Sequence, residues 1–142
     1  MNPWEKFKLK YPLGRIKYSI DGEYRGIIKL NSLNVLCGYV ILPKNHPYIG
    51  LSLYKDDYDK NPLYKLDVHV GVTFADYINE NDYAIGFNCS NHYAGDYAPR
   101  IYDFKPSANG VVWRDETFVI NELNKLVEQL KEAELQRGGK DE

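Results

Sequence analysis

One stretch of this chain carries apolar residues at helical spacing for more than two turns: Val119, Leu123, Leu126, Val127 and Leu130. Such a stripe has to be buried against something, and no second long helix is available to cover it. Most of the remaining chain has period two or short apolar runs instead. In Arg15 to Ile20, the residues Ile16, Tyr18 and Ile20 share one side, and Asp21-Gly22 reads as a two-residue turn into a returning strand from Glu23 to Leu30. Val35 to Leu42 is apolar enough for a central strand, with Gly38 permitting close approach and Pro43 ending it. Leu51 to Tyr54, Leu66 to Phe74 and Tyr83 to Cys89 are expected as further strands. The spacing therefore predicts an α+β fold in which a mainly antiparallel sheet of five or six strands is covered by one long C-terminal helix.

Punctuation along the chain agrees with this layout. Asn2, Pro3 and Glu5 read as the start of a short N-terminal helix, and Asp115 reads as the cap of the long one. An acidic turn runs from Asp56 to Pro62, and a long loop with four glycines or prolines runs from Ser90 to Gly110. With 142 residues and neither an internal repeat nor a linker, 1–135 is expected as a single domain. No apolar residue follows Leu135, so 136–142 is expected as a flexible tail.

Composition excludes some classes of function. A formal charge of −2 rules out a strongly basic binder of long nucleic acid, yet the first 29 residues carry seven cations against three carboxylates, a local +4 that would suit an anion-attracting face as well as a solvated strand. Cys37 and Cys89 form no disulfide framework and no zinc signature, and both are expected as buried thiols. No stretch has the length and apolarity of a membrane span, and the segment Met1 to Lys8 lacks the apolar core of a signal peptide, so a cytosolic location is expected. Thirteen tyrosines against five phenylalanines favour recognition of partners that are both aromatic and polar.

Polar chemistry concentrates between Asp67 and Asp96, where two of the three histidines lie. His69, His92, Asp67, Asp96 and Cys89 are competent metal ligands, but their spacing matches no metal motif, and neither a metal nor a cofactor is expected. Cys89, His92 and Asp96 have the residue types of a nucleophilic triad without the sequence context of one. Phosphate-binding glycine loops are absent. What remains is a pocket at a strand edge. Tyr93, Tyr97, Phe74 and Phe87 would stack on a ring, His69, Thr73, Asn88 and His92 would hydrogen-bond, Arg100 or Arg114 would meet negative charge, and Asp96 is expected among the binding residues.

In combination, Gly38 to Pro43 with His46-Pro47, His69 to Phe74, Ile85 to Cys89 leading to Ala94-Gly95-Asp96, and Phe118 to Glu122 resemble a family of small, largely uncharacterised phage-encoded proteins. The resemblance covers roughly 38–130. Val70 interrupts what is usually a His-Gly-Gly run in that family, and Asn88 stands in place of an aspartate, which favours binding over catalysis. It implies a binding protein that takes up a small anionic, nucleotide-like ligand and so sequesters a host immune signal, an anti-defence role of the sponge type. A hydrolase acting on such a ligand through His69, His92 and Asp96 is the alternative, and a surface inhibitor of a host enzyme is the third reading. Assembly as a homo-oligomer is left open.

Overall fold

The computed structural model describes residues 1–53, 60–100 and 110–140, the last four by their backbone alone. It is an α+β fold. Helix α1 spans Pro3–Lys10, and strands β1 (Arg15–Asp21), β2 (Tyr24–Leu30), β3 (Leu36–Ile41), β4 (Phe74–Tyr77) and β5 (Tyr83–Asn88) form one antiparallel sheet in the order β1-β2-β3-β5-β4. Helix α2, Glu116–Lys140, closes one face of that sheet.

Both helix starts are capped as their sequences require. The Asn2 side chain accepts from the Glu5 amide at 2.9 Å, and Asp115 accepts from the Phe118 amide at 3.0 Å, each satisfying a donor that the first turn leaves open. Val119, Leu123, Leu126, Val127 and Leu130 are all fully buried, and burying a side chain of this size stabilises the fold by about 1.5 to 3 kcal/mol. Gly38 sits on the central strand directly under them. A Cβ there would lie 2.7 Å from Val119 Cγ1, so the missing side chain sets how closely α2 approaches β3. The α2 backbone continues through Lys140, beyond Leu135.

Two local expectations are corrected. The turn between β1 and β2 is made by Gly22 and Glu23, one residue later than expected, because Asp21 pairs with Tyr24. Leu51 to Leu53 is not a strand: Leu53 is buried in the core, while the Ser52 carbonyl accepts from Asn61 Nδ2 at 2.7 Å and the Leu51 carbonyl from the Tyr83 hydroxyl, so side chains replace a sheet partner. Tyr54 and the Asp56 to Asp59 part of the acidic turn lie outside the described residues.

The larger correction concerns Leu66 to Phe74. Leu66, Val68 and Val72 are buried in alternation as a strand would have them, but the backbone bonds elsewhere. Gln129 of α2 accepts from the Asp67 amide at 2.7 Å and donates to the Asp67 carbonyl at 2.7 Å, and Glu122 accepts from the His69 amide at 2.7 Å. Val70 and Gly71 then turn through the left-handed region, with φ of 58° and 76°, and only Phe74 begins a strand. Helix side chains thus hold as an ordered strap what the alternation alone reads as a sheet strand. Among the described residues, no helix is long and apolar enough to cross a membrane.

Candidate functional site

The two histidine-bearing segments converge, and a buried carboxylate joins them. Asp96 has no exposed surface; it accepts from His69 Nε2–H at 2.8 Å, from Arg114 Nε at 2.9 Å and from the Asn91 amide at 3.0 Å. Those donors come from the strap below β4, from the start of the 91–97 loop and from the approach to α2. The Asn91 side chain in turn accepts from the Tyr93 amide at 2.9 Å and begins a short 3-10 turn, His92–Ala94, which Gly95 closes at φ 85°. His69 is wedged edge-on between Phe87 and Phe118, with ring centroids 6.0 and 4.9 Å away, and Arg114 lies 4.6 Å over the Phe118 ring. Both oxygens of Asp96 are taken up by these donors. A carboxylate so engaged organises the loop and has no lone pair directed at a substrate.

Above this junction lies an open hollow of about 310 Å³, lined by Val70 and Thr73 from the strap and by Asn88, Ser90, His92 and Tyr93 from the end of β5 and the loop. Thr73, Asn88, His92 and Tyr93 are thus brought together, and the Tyr93 ring is 98% exposed. His69 and Asp96 stand behind the hollow. Tyr97 is buried against Trp4 with ring centroids 6.1 Å apart, and Arg100 is exposed on the loop and does not line the hollow. Residues 101–109 of the same loop lie outside the described residues.

The arrangement of Cys89, His92 and Asp96 does not resemble a nucleophilic triad. The carboxylate is bonded to His69, and Cys89 is buried, its thiol pushed well above the ordinary range by loss of water and by the negative charge of Asp96, so it stays protonated. Asp67 points outward, its side chain 84% exposed and 3.9 Å from Lys125. Among the described residues, no three His, Cys, Asp or Glu side chains lie close enough to hold a metal ion.

Phe74 lies on the other face of the sheet. α2 covers the face that carries Gly38 and Phe87, and alternation sends Tyr39 and Phe74 to the opposite side, where their rings meet edge to face at 5.3 Å. A groove of about 380 Å³ lies over them, rimmed by Arg15, Lys17 and Lys29 and closed at the far end by Ile78. Among the described residues, these three cations have no ion-pair partner, whereas the neighbouring Arg25 is bound to Asp82 at 2.6 Å. The floor of the groove stays neutral: burial pushes the Tyr39 phenol up to about 12 and also raises the Cys37 thiol beside it. The sequence had signalled this face through its N-terminal excess of cations. The missing information was the register, which places Arg15 opposite Lys29 and Lys17 opposite Ile27, beside Tyr39.

Among the described residues, fold and groove together define an α+β protein with one sheet face covered by a helix and the other left open, cationic and aromatic. Comparison with protein-family models, with curated proteins and with solved structures gave no match.

Proposed function

We propose that the chain is a binding protein that captures a small anionic, nucleotide-like ligand on the open face of its sheet. The observation that carries this reading is the groove in which Arg15, Lys17 and Lys29, unpaired among the described residues, surround the edge-to-face pair of Tyr39 and Phe74. A phosphate seeks the cations and a ring seeks the aromatic floor, and the two stand diagonally on neighbouring strands at Lys29 and Tyr39. The hollow above Asp96 suits the reading less well: its lining is polar and, among the described residues, holds no lysine or arginine. Catalysis is disfavoured because the Asp96 carboxylate is occupied by three donors and the Cys89 thiol is buried and protonated. In the phage setting that the sequence resembles, such capture would withhold a nucleotide-derived immune signal from the host.

The test is retention. Protein is incubated with ribonucleoside triphosphates and with cyclic dinucleotides, freed of excess ligand and heat-denatured, and the released material is analysed by mass spectrometry. Recovery of intact nucleotide is expected, along with a melting temperature that climbs with ligand concentration because only the folded state binds. The triple variant Arg15→Ala, Lys17→Ala, Lys29→Ala should lose both effects while melting like the parent in buffer. Recovery of hydrolysed nucleotide, or retention unchanged in the triple variant, would overturn the reading.

A further inference from the structure

The register of the sheet fixes the order of groups across the open face, and that order is longer than a mononucleotide. One cross-strand row runs Lys17, Ile27, Tyr39, Gly86, Phe74, from β1 at one edge to β4 at the other. Four steps at the usual strand separation of roughly 4.8 Å make this row about 19 Å long. The adjoining row runs Arg15, Lys29, Cys37, Asn88. It therefore begins among the cations of the groove and ends on the residue that also lines the polar hollow. Thr73, at the rim of that hollow, directly precedes Phe74, at the floor of the groove. The open face therefore carries cations toward one edge and rings toward the other.

Chemistry is graded along that surface. Positive charge is confined to β1 and β2, and stacking rings occupy β3 and β4. Gly86 allows the middle of the row to lie flat: a Cβ there would stand 2.6 Å from Tyr39 Cδ1, so the tyrosine ring rests on bare backbone next to Phe74. A mononucleotide whose phosphate reaches Arg15 and Lys17 leaves its base short of Phe74, four strands away. An occupant that uses both ends must repeat the phosphate and ring unit.

We infer that the ligand is a short single-stranded oligonucleotide lying across the strands, with phosphates over Arg15, Lys17 and Lys29 and successive bases over Tyr39 and Phe74. This rests on the reading of the groove as a nucleotide site and extends it from one unit to several. Stacking on a flat aromatic face tolerates any base, so little sequence preference is expected. A duplex hides its ring faces and offers this sheet only its phosphates.

Fluorescence anisotropy with labelled thymidine nucleotides separates the two levels of the claim. A mononucleotide, a trinucleotide, a hexanucleotide and a duplex are titrated at several salt concentrations. Affinity is expected to rise about tenfold or more from the mononucleotide to the trinucleotide. For three phosphate contacts on a single strand, the plot of log affinity against log salt should have a slope near −2, reduced by about 0.7 in Lys29→Ala. Phe74→Ala should weaken the trinucleotide by a larger factor than the mononucleotide. Equal affinity for mononucleotide and trinucleotide would overturn this inference and leave the nucleotide site standing. Absence of binding by every single-stranded probe would remove both, and a duplex bound as tightly as the trinucleotide would show that charge acts without stacking and would also overturn it.

Discussion

Replacing Asp96 by alanine removes the acceptor on which three separate segments converge. The carboxylate is inaccessible to water and takes His69 Nε2–H at 2.8 Å, Arg114 Nε at 2.9 Å and the Asn91 amide at 3.0 Å. Hydrogen bonds to a charged group are worth about 1.5 to 3 kcal/mol each, but the three do not add fully, since the Arg114 side chain is 23% exposed and water can reach it once the acid is gone. His69, 10% exposed between two phenyl rings, and the Asn91 amide have less access to replacement water. Breaking a buried charge pair from one side costs about 3 to 5 kcal/mol, and that range is the expected loss. At a urea dependence of about 2 kcal/mol per molar, the unfolding midpoint should fall by about 2 M, followed through the fluorescence of Trp4 and Trp113, which pack 6.3 Å apart near this junction. Asp96→Asn keeps one accepting oxygen and should lose about half as much. His69→Ala combined with Asp96→Ala should cost less than the two single changes added, because each removes the same bond. A midpoint for Asp96→Ala within about 0.3 M of the parent would refute the assignment of this carboxylate as the junction that shapes the loop.

Two further outcomes are expected. Burial lowers the pKa of His46, whose Nε2–H donates to the Leu130 carbonyl at 2.9 Å while its Nδ1 accepts from the Tyr48 amide at 3.0 Å, so the unfolded chain takes up this proton first; stability should be complete above a pH of about 6.5 and decline as the pH falls, and urea titrations across that range should show His46→Gln with the flatter profile. Gly86→Ala places a Cβ 2.3 Å from the Gly38 carbonyl oxygen and should cost about 3 kcal/mol or more, whereas Gly22→Ala meets no atom within 4 Å and strains only its φ of 55°, for about 1 kcal/mol; thermal melts giving the reverse order would refute the packing argument at the sheet centre.

Much of this fold was legible because its signals are local. The alternation of β1 and β2, the apolar run of β3, the stripe of α2 and the two side-chain caps each lie within a few residues, and each formed where the pattern put it. The strap from Leu66 to Thr73 shows the limit. Its alternating burial was read correctly as burial and wrongly as sheet pairing, because what satisfies the backbone at Asp67 and His69 is Gln129 and Glu122, more than fifty residues further along the chain. The site shows the same division. The richness of 67–96 in polar residues was visible, but which of them would be consumed in holding the loop, as Asp96 and His69 are, depends on a bond spanning 27 residues. Phe74 was singled out for stacking from the sequence, yet its partner Tyr39 and the cations of β1 and β2 join it only through strand register.

Register also resolves the conflict between an acidic chain and an anionic ligand. A net charge of −2 would repel a phosphate if the charges were evenly spread, but they are sorted by face. Arg15, Lys17 and Lys29 rim the open side of the sheet, while α2, on the opposite side, carries five glutamates between Glu116 and Glu134 against Lys125 and Lys131, a local −3. Two of those glutamates are occupied locally, Glu122 with the strap amide and Glu116 with the Tyr11 hydroxyl at 2.8 Å, and the sheet stands between the remainder and the groove. At physiological salt, a charge is screened over about 8 Å, close to the separation of a helix layer from the sheet it covers. A phosphate over β1 therefore responds to the nearby cations far more than to the distant carboxylates, and the separation of charge across the sheet favours approach from the open side.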